Sequence, residues 1–174
     1  GHEAPTARHA IYFSLWQRLQ ALRESERRQA LDELESWAEA RPAESRPGRT
    51  LVPREAIALA QGGLVEIGSH TVNHPVLSAL PVAAQRSEIE KSKASLEGIL
   101  GRPVTSFAYP YGGQSNYTGE SVAAVRQAGF TCACSTLAGV VERGADCFQL
   151  PRVQVEDWDG EEFARRLSGW LEGS

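Results

Sequence analysis

The chain has 174 residues and a formal net charge of −4, with 41% hydrophobic and 23% charged residues. This length suffices for one domain with a sizeable core, and the composition is that of an ordinary globular protein. No block of Lys and Arg supports nucleic-acid binding, and no apolar run approaches the roughly 20 residues that cross a bilayer. We therefore expect neither a nucleic-acid partner nor a transmembrane segment.

Residues 1–49 are predicted to form a helical segment followed by a linker. Apolar residues at helical spacing predict a first helix over residues 10–23, and Ser25 is expected to cap the start of a second. Residues 41–49 are rich in proline and charge, which is typical of a surface linker. The apolar faces of both helices indicate that they cover a core.

Residues 50–174 are predicted to alternate between helices and strands. Helices are expected where apolar periodicity is bounded by Pro, Gly or a capping Asp159, namely over residues 53–63, 81–101, 119–129 and 159–171. Strands are expected over the apolar runs at residues 64–69, 104–110, 130–136 and 148–155. This alternation predicts an α/β fold with parallel strands.

The three cysteines, Cys132, Cys134 and Cys147, form no metal-knuckle pattern. Cys132 and Cys134 lie in "FTCACST", which is typical of a buried strand. We expect all three to be small core thiols, because free cysteine is among the most buried residue types. The pattern does not decide the redox compartment.

The stretch "SHTVNHP" places His70 and His74 four residues apart, directly after a predicted strand. One helical turn there would direct both rings to the same side, and imidazole nitrogens suit zinc and its neighbours. The alternative is a pair of hydrogen-bonding histidines on a turn, because a catalytic zinc site needs a third ligand and no Asp or Glu stands out as one. Since parallel strands end at one edge, we expect His70 to lie beside Pro110 and Tyr111.

Together, "SHTVNHP", the long helix after it and "RPVTSFAYPYGG" resemble the polysaccharide deacetylase family, the NodB-like carbohydrate esterases. The H-[ST]-x-x-H motif falls at residues 70–74 and the "FAYPYG" segment at residues 107–112, in the family's order. Residues 51–171 are covered, and residues 10–40 match a helical insert of one bacterial branch. The resemblance implies a distorted (β/α) barrel, of which residues 50–174 would form the C-terminal part.

The resemblance also implies an activity and roles for particular residues. The family removes N-acetyl, sometimes O-acetyl, groups from polysaccharides with a divalent metal, here expected to be zinc. By this likeness His70 and His74 are metal ligands, and the Tyr111 backbone N–H is the catalytic oxyanion donor. Four residues are candidates for contact with the substrate: Pro110, Tyr111, Arg152 and Trp158. For the last two, a strand-end charge and a half-buried aromatic before a capped helix remain the simpler alternatives.

The sequence departs from the family in two respects. The adjacent aspartates that serve as base and third metal ligand are absent, and no histidine follows His74. We expect the chain to be a C-terminal portion that is inactive alone, binds metal weakly and self-associates through an exposed sheet edge. Two alternatives remain: a non-catalytic glycan-binding or structural domain, and an interaction module built on residues 10–40. The glycan, the metal and the cellular compartment are not determined.

Overall fold

The computed structural model describes residues 6–20, 22, 24–38 and 50–172. The chain divides into two compact units, Gly1–Thr50 and Leu51–Ser174. The predicted linker over residues 41–49 lies outside the described residues. No helix within the described ranges is long and apolar enough to cross a membrane.

The first unit contains helix α1, Ala7–Gln20, and helix α2, Glu24–Trp37. Neither helix, all of whose residues are described, contains a buried residue. The expectation that Ser25 caps α2 is wrong, because Glu24 is already helical. The Glu24 carboxylate pairs with Arg27 and Arg28 one turn later. A negative charge in the first turn also interacts favourably with the helix dipole, so the helix starts earlier than the cap predicts.

The second unit contains four α-helices and a short 3-10 helix, Leu77–Ala79. The α-helices are α3, Pro53–Gln61; α4, Val82–Leu100; α5, Gly119–Gln127; and α6, Gly160–Glu172. The predicted helix ends are confirmed at two capping residues. Gly101 ends α4 in the left-handed conformation, with φ of 66° and its N–H donating to the Glu97 carbonyl. Asp159 Oδ1 accepts the Glu162 N–H at 2.9 Å at the start of α6.

Two short parallel strands form the sheet, β1 at Ser106–Ala108 and β2 at Cys132–Cys134. Phe107 lies opposite Ala133 in this register. Two isolated parallel bridges extend the sheet, Ser69 to Phe107 on one side and Cys134 to Leu150 on the other. The prediction of a mixed α/β fold with parallel strands is therefore confirmed.

Of the four predicted strands, those at residues 64–69 and 148–155 are each represented in the structure by one bridging residue, Ser69 and Leu150. Before Ser69, the hydroxyl of Ser106 donates to the Glu66 carboxylate at 3.0 Å, so a side-chain contact takes the place of a further ladder bond. After Leu150, Pro151 has no N–H to donate to a ladder. Apolar runs are present at both places, but the regular strand pairing does not continue beyond these residues.

The hydrophobic core lies between the sheet and helices α4 and α5. Its buried members are Leu77, Ile89, Val104, Phe107, Tyr109, Tyr117, Val122, Ala124, Val125, Phe130, Ala133 and Phe148. Side chains alternate along a strand, so Ala133 enters the core while Cys132 and Cys134 are only half-buried. Cys147 is exposed, so the expectation of a core thiol is wrong there. Its carbonyl accepts the Ala133 N–H at 2.8 Å while its side chain lies at the surface.

Candidate metal centre

His70 directly follows the bridging residue Ser69, at the C-terminal edge of the sheet. The His70 Nδ1 lies 2.7 Å from the carbonyl oxygen of Ala108, the last residue of β1. A carbonyl oxygen only accepts hydrogen bonds, so Nδ1 carries the proton. In the neutral ring, Nε2 then holds the lone pair, which is the arrangement that a metal-binding histidine needs. The residue as a whole is exposed.

His74 brings a second imidazole to the same place without a helical turn. The ring centroids of His70 and His74 lie 4.7 Å apart at an interplanar angle of 73°. The predicted helical turn is wrong, because Thr71 and His74 have φ of 64° and 53°. The Thr71 hydroxyl accepts the His74 N–H at 3.1 Å and so supports this tight loop. A β-branched residue with positive φ is strained, at a cost of order 1–3 kcal/mol, and persists only where other contacts hold it.

Tyr111 lies at the centre of a tight turn that follows β1. The Gly112 N–H donates to the Pro110 carbonyl at 2.7 Å, and Tyr111 has φ of 60°, as in a γ-turn. The Tyr111 ring meets the His74 ring edge to face, with centroids 4.7 Å apart at 75°. The ring that meets Tyr111 is that of His74, while His70 bonds to Ala108, two residues before Pro110. The two segments thus lie at one sheet edge, as predicted for His70.

The residues after β2 hold this turn in position. Thr136 Oγ1 donates to the Tyr111 carbonyl at 2.7 Å, and the Thr136 N–H donates to the Gly112 carbonyl at 2.9 Å. Gly112 must be glycine, because a Cβ there would lie 2.6 Å from the Thr136 nitrogen. The turn is thus fixed by the neighbouring parallel strand.

Two buried phenols lie behind the turn. The rings of Tyr109 and Tyr117 stack at 4.0 Å with 11° between their planes. The Tyr109 hydroxyl donates to the Phe148 carbonyl at 2.9 Å. Burial raises the pKa of both tyrosines, so both stay neutral and support the turn by packing.

Arg152 reaches the same edge of the sheet from the C-terminal side. Its Nε donates to the Ser135 carbonyl at 2.5 Å, and its backbone N–H donates to the Leu137 carbonyl at 2.9 Å. Ser135 directly precedes Thr136, which holds the Tyr111 turn. The Arg152 guanidinium therefore bonds to the residue next to Thr136, and Thr136 in turn holds Tyr111, the candidate oxyanion donor.

Trp158 is half-buried within the C-terminal segment. The Arg166 guanidinium carbon lies 4.2 Å from the centroid of its ring, and the Trp170 ring centroid is 6.1 Å away. Both partners belong to α6. These contacts link Trp158 to helix α6, which follows it, whereas those of Arg152 link it to the sheet edge.

Two further residues, to which the sequence analysis gave no role, shape the histidine loop. Thr71 supports His74, and Glu88 of α4 accepts N–H groups from Val72 and Asn73. The role of Thr71 could have been predicted from the tendency of Thr hydroxyls to bond to nearby backbone groups in turns. No spacing rule identifies Glu88, because the contact joins a loop to a separate helix.

The donor set fits part of a zinc-type site. The two imidazole rings lie next to each other, and the Nδ1 contact of His70 with the Ala108 carbonyl leaves Nε2 as the nitrogen available to a metal. Across the described residues, however, no three His, Cys, Asp or Glu side chains gather closely enough to hold a metal ion. Among the described residues, His70 and His74 are thus at most two of the three protein ligands that a catalytic zinc site needs.

Comparison with known proteins identifies the family of this chain. The sequence profile of the polysaccharide deacetylase family matches residues 15–133. A putative polysaccharide deacetylase, YxkH of Bacillus subtilis (strain 168), is 31% identical over 97 residues, which cover 56% of this chain. The match spans only 33% of that relative's length.

Solved structures share the fold. Streptococcus pyogenes deacetylase PplD in complex with acetate matches with a TM-score of 0.62 and 22% identity, over 68% of this chain and 51% of that one. The putative polysaccharide deacetylase BA0330 of Bacillus anthracis matches with a TM-score of 0.60 and 24% identity, over 68% and 37% of the two chains. The fold is thus of the deacetylase type. The chain belongs to the polysaccharide deacetylase family.

Proposed function

We propose that this chain is the metal-binding C-terminal portion of a hydrolase that removes N-acetyl, or O-acetyl, groups from a polysaccharide. The observation that carries the proposal is the convergence of His70, His74 and Tyr111 at one edge of the sheet, with ring centroids 4.7 Å apart for each adjacent pair. Residues 50–174 would then form part of a distorted (β/α) barrel. Support for this comes from the matched structures, of which the chain covers only 51% and 37%.

His70 and His74 are the proposed metal ligands, with zinc as the expected ion. The Ala108 carbonyl holds the proton on His70 Nδ1 and presents Nε2 outward. A divalent metal bound there would polarise the acetyl carbonyl and increase the acidity of a water molecule. The charged third ligand and the general base are proposed to be aspartates outside this chain.

Tyr111 is the proposed oxyanion donor through its backbone N–H. The γ-turn fixes the peptide before the substrate arrives, so no reorganisation is needed as charge develops on the acetyl oxygen. Loss of one such preorganised donor typically lowers the rate by about 10²–10³-fold. Arg152 lies at the same edge and is proposed to contact the sugar, and Trp158 is proposed to stack on it. The prediction of Pro110 as a substrate contact is corrected, because its side chain is fully buried.

A non-catalytic glycan-binding domain is the second candidate. It is favoured by one observation, that the described residues provide no acidic partner for the two imidazoles. The two candidate functions differ in the coding sequence that they require upstream of this chain. A coding sequence with paired aspartates after an apolar strand supports the enzyme, and its absence supports the binding domain.

The test of the metal site uses His70→Ala, with His9→Ala as a matched control because His9 is exposed on α1. In the 174-residue chain, we expect His70→Ala to raise the zinc Kd at least about tenfold, the minimum seen when only an outer partner is lost. In the full-length protein, we expect it to abolish release of acetate from an N-acetylated oligosaccharide. Full activity of His70→Ala would falsify the proposal.

A further inference from the structure

Helix α4 contacts the histidine loop through one carboxylate. Glu88 Oε2 accepts the backbone N–H groups of Val72 at 3.0 Å and Asn73 at 2.9 Å. Glu88 Oε1 accepts the side-chain amide of Asn73 at 2.7 Å. Both carboxylate oxygens are thus engaged by the two residues that lie between Thr71 and His74.

The same helix face also holds the residue before the motif. Ser92 lies four residues after Glu88, one turn along α4, and its hydroxyl is 2.5 Å from the hydroxyl of Ser69. Ser69 directly precedes His70, and both serines are buried. Helix α4 therefore contacts the loop on both sides of His70.

The helix is a firm support for these contacts. Ile89, next to Glu88, is fully buried in the core. Glu88 itself is half-buried, so water competes less for its hydrogen bonds than at a fully exposed site.

The loop needs such a support. Thr71 and His74, with φ of 64° and 53°, lie on either side of Val72 and Asn73. Non-glycine residues adopt this conformation only where surrounding contacts impose it. If the segment between them were released, the loop would relax to commoner backbone angles and the two rings would move apart.

We infer that Glu88 is a positioning residue, which holds the loop so that His70 and His74 direct their rings to one metal ion. Among the described residues its carboxylate does not join the two histidines in a group that could hold a metal ion, and both of its oxygens accept hydrogen bonds from the loop. The metal part of this inference rests on the proposed function. The effect on loop conformation does not, so the two can be tested separately.

The experiment compares Glu88→Ala and Glu88→Gln with Glu90→Ala and Glu90→Gln in the 174-residue chain. Glu90 lies on the same helix and is exposed, so it matches the change in helix propensity and charge. Glu88→Ala removes all three hydrogen bonds. Glu88→Gln can retain one oxygen for the backbone N–H groups but turns an amide toward that of Asn73, so it should lie between wild type and Glu88→Ala.

Three measurements are made on each variant: the zinc Kd by competition with a chromophoric chelator, the visible absorption of bound Co²⁺, and amide hydrogen exchange without metal. We expect Glu88→Ala to weaken zinc binding about 10–100-fold and to change the Co²⁺ spectrum. We also expect faster exchange at Val72 and Asn73, with both Glu90 variants within about twofold of wild type. A general loss of stability would speed exchange throughout the core and would not produce the graded Gln and Ala series in the Co²⁺ spectrum.

Zinc affinity and loop exchange in Glu88→Ala equal to those of Glu90→Ala would overturn the inference. If Glu88→Ala fails to fold by circular dichroism, Glu88→Gln decides by the same criteria. Failure of the wild-type chain to bind zinc would contradict the proposed metal site. The role of Glu88 in holding the loop would then be judged by the exchange rates of Val72 and Asn73 alone.

Discussion

At the scale of single residues, the turn that carries Tyr111 depends on Gly112. This glycine has φ of 61°, and an added Cβ would lie 2.8 Å from Thr136 Cγ2 as well as close to the Thr136 nitrogen. Neither of these Thr136 atoms can move away easily, because Thr136 makes two hydrogen bonds to the turn.

We expect Gly112→Ala to lower the free energy of unfolding by about 1–3 kcal/mol, because the methyl group overpacks a fixed contact. It should also displace the Tyr111 peptide and so reduce activity of the full-length enzyme. Urea unfolding and initial rates measure the two effects. Gly119→Ala is the control, since nothing lies within 4 Å of its Cβ position, and an equal loss there would contradict the argument.

A second residue-scale prediction concerns acid stability. The Gln149 side chain, the Phe148 N–H and the Arg126 guanidinium, in that order, hold the pKa of Asp146 below its ordinary value of 3.8. A lowered pKa means that the folded state favours the carboxylate. This stabilisation is therefore complete above the unfolded pKa and is lost as the pH falls through the folded one.

We accordingly expect Asp146→Asn to be less stable than wild type at neutral pH and to lose less further stability below about pH 4. Urea unfolding at pH values on both sides of this window provides the measurement. The exposed Asp157→Asn is the control. If the free energy of unfolding changes with pH in the same way for wild type and Asp146→Asn, the hydrogen bonds of this carboxylate do not contribute to acid stability.

At the scale of elements, helix α4 links the core to the histidine loop through Ile89 and Glu88. Ile89 is fully buried, whereas Val82 at the start of the helix is 43% exposed. Comparing Ala substitutions at the two positions therefore distinguishes the contribution of core packing from the effect of removing an exposed side chain on the same helix.

We expect Ile89→Ala to lower the free energy of unfolding by about 2–5 kcal/mol, from lost burial and the cavity left behind. Val82→Ala should cost much less, and thermal or urea unfolding measures the difference. Equal costs would mean that α4 is not anchored through this face.

The same elements show how far sequence reasoning reaches. Helix ends at Gly101 and Asp159 follow from local chemistry, which short stretches of sequence contain. Strand lengths do not follow from local chemistry. A strand continues only as far as the neighbouring strand pairs with it, and this pairing stops at Ser69 and Leu150. The placement of the histidine loop and the Tyr111 turn at one edge follows from the parallel strands that precede them. The contact of Glu88 depends on how a helix packs over a loop, which no periodicity encodes.

At the scale of the whole molecule, apolar surface remains on the segment before Ser69. Leu64 is 97% exposed and Val65 is 41% exposed. Leu64, Val65 and residues of the loop before β1, among them Arg102 and Pro103, line an open groove. An exposed apolar segment that leads into the edge of a sheet favours pairing with another chain.

We expect the 174-residue chain to self-associate with rising concentration and Leu64→Lys to weaken this, because a charged edge opposes pairing. Sedimentation velocity over a concentration series is the measurement. Val141→Lys, at a position that is 58% exposed in a loop, is the control. A wild-type chain that stays monomeric at high concentration would contradict the expectation.

The order of the sheet has a consequence for how the protein is made. Ser69, β1, β2 and Leu150 lie side by side in the order in which they occur along the chain. During synthesis, each new pairing segment therefore leaves the ribosome after its neighbour and can add to an edge that already exists. This part of the sheet can grow in the direction of translation, and none of these segments has to wait for a partner encoded far downstream.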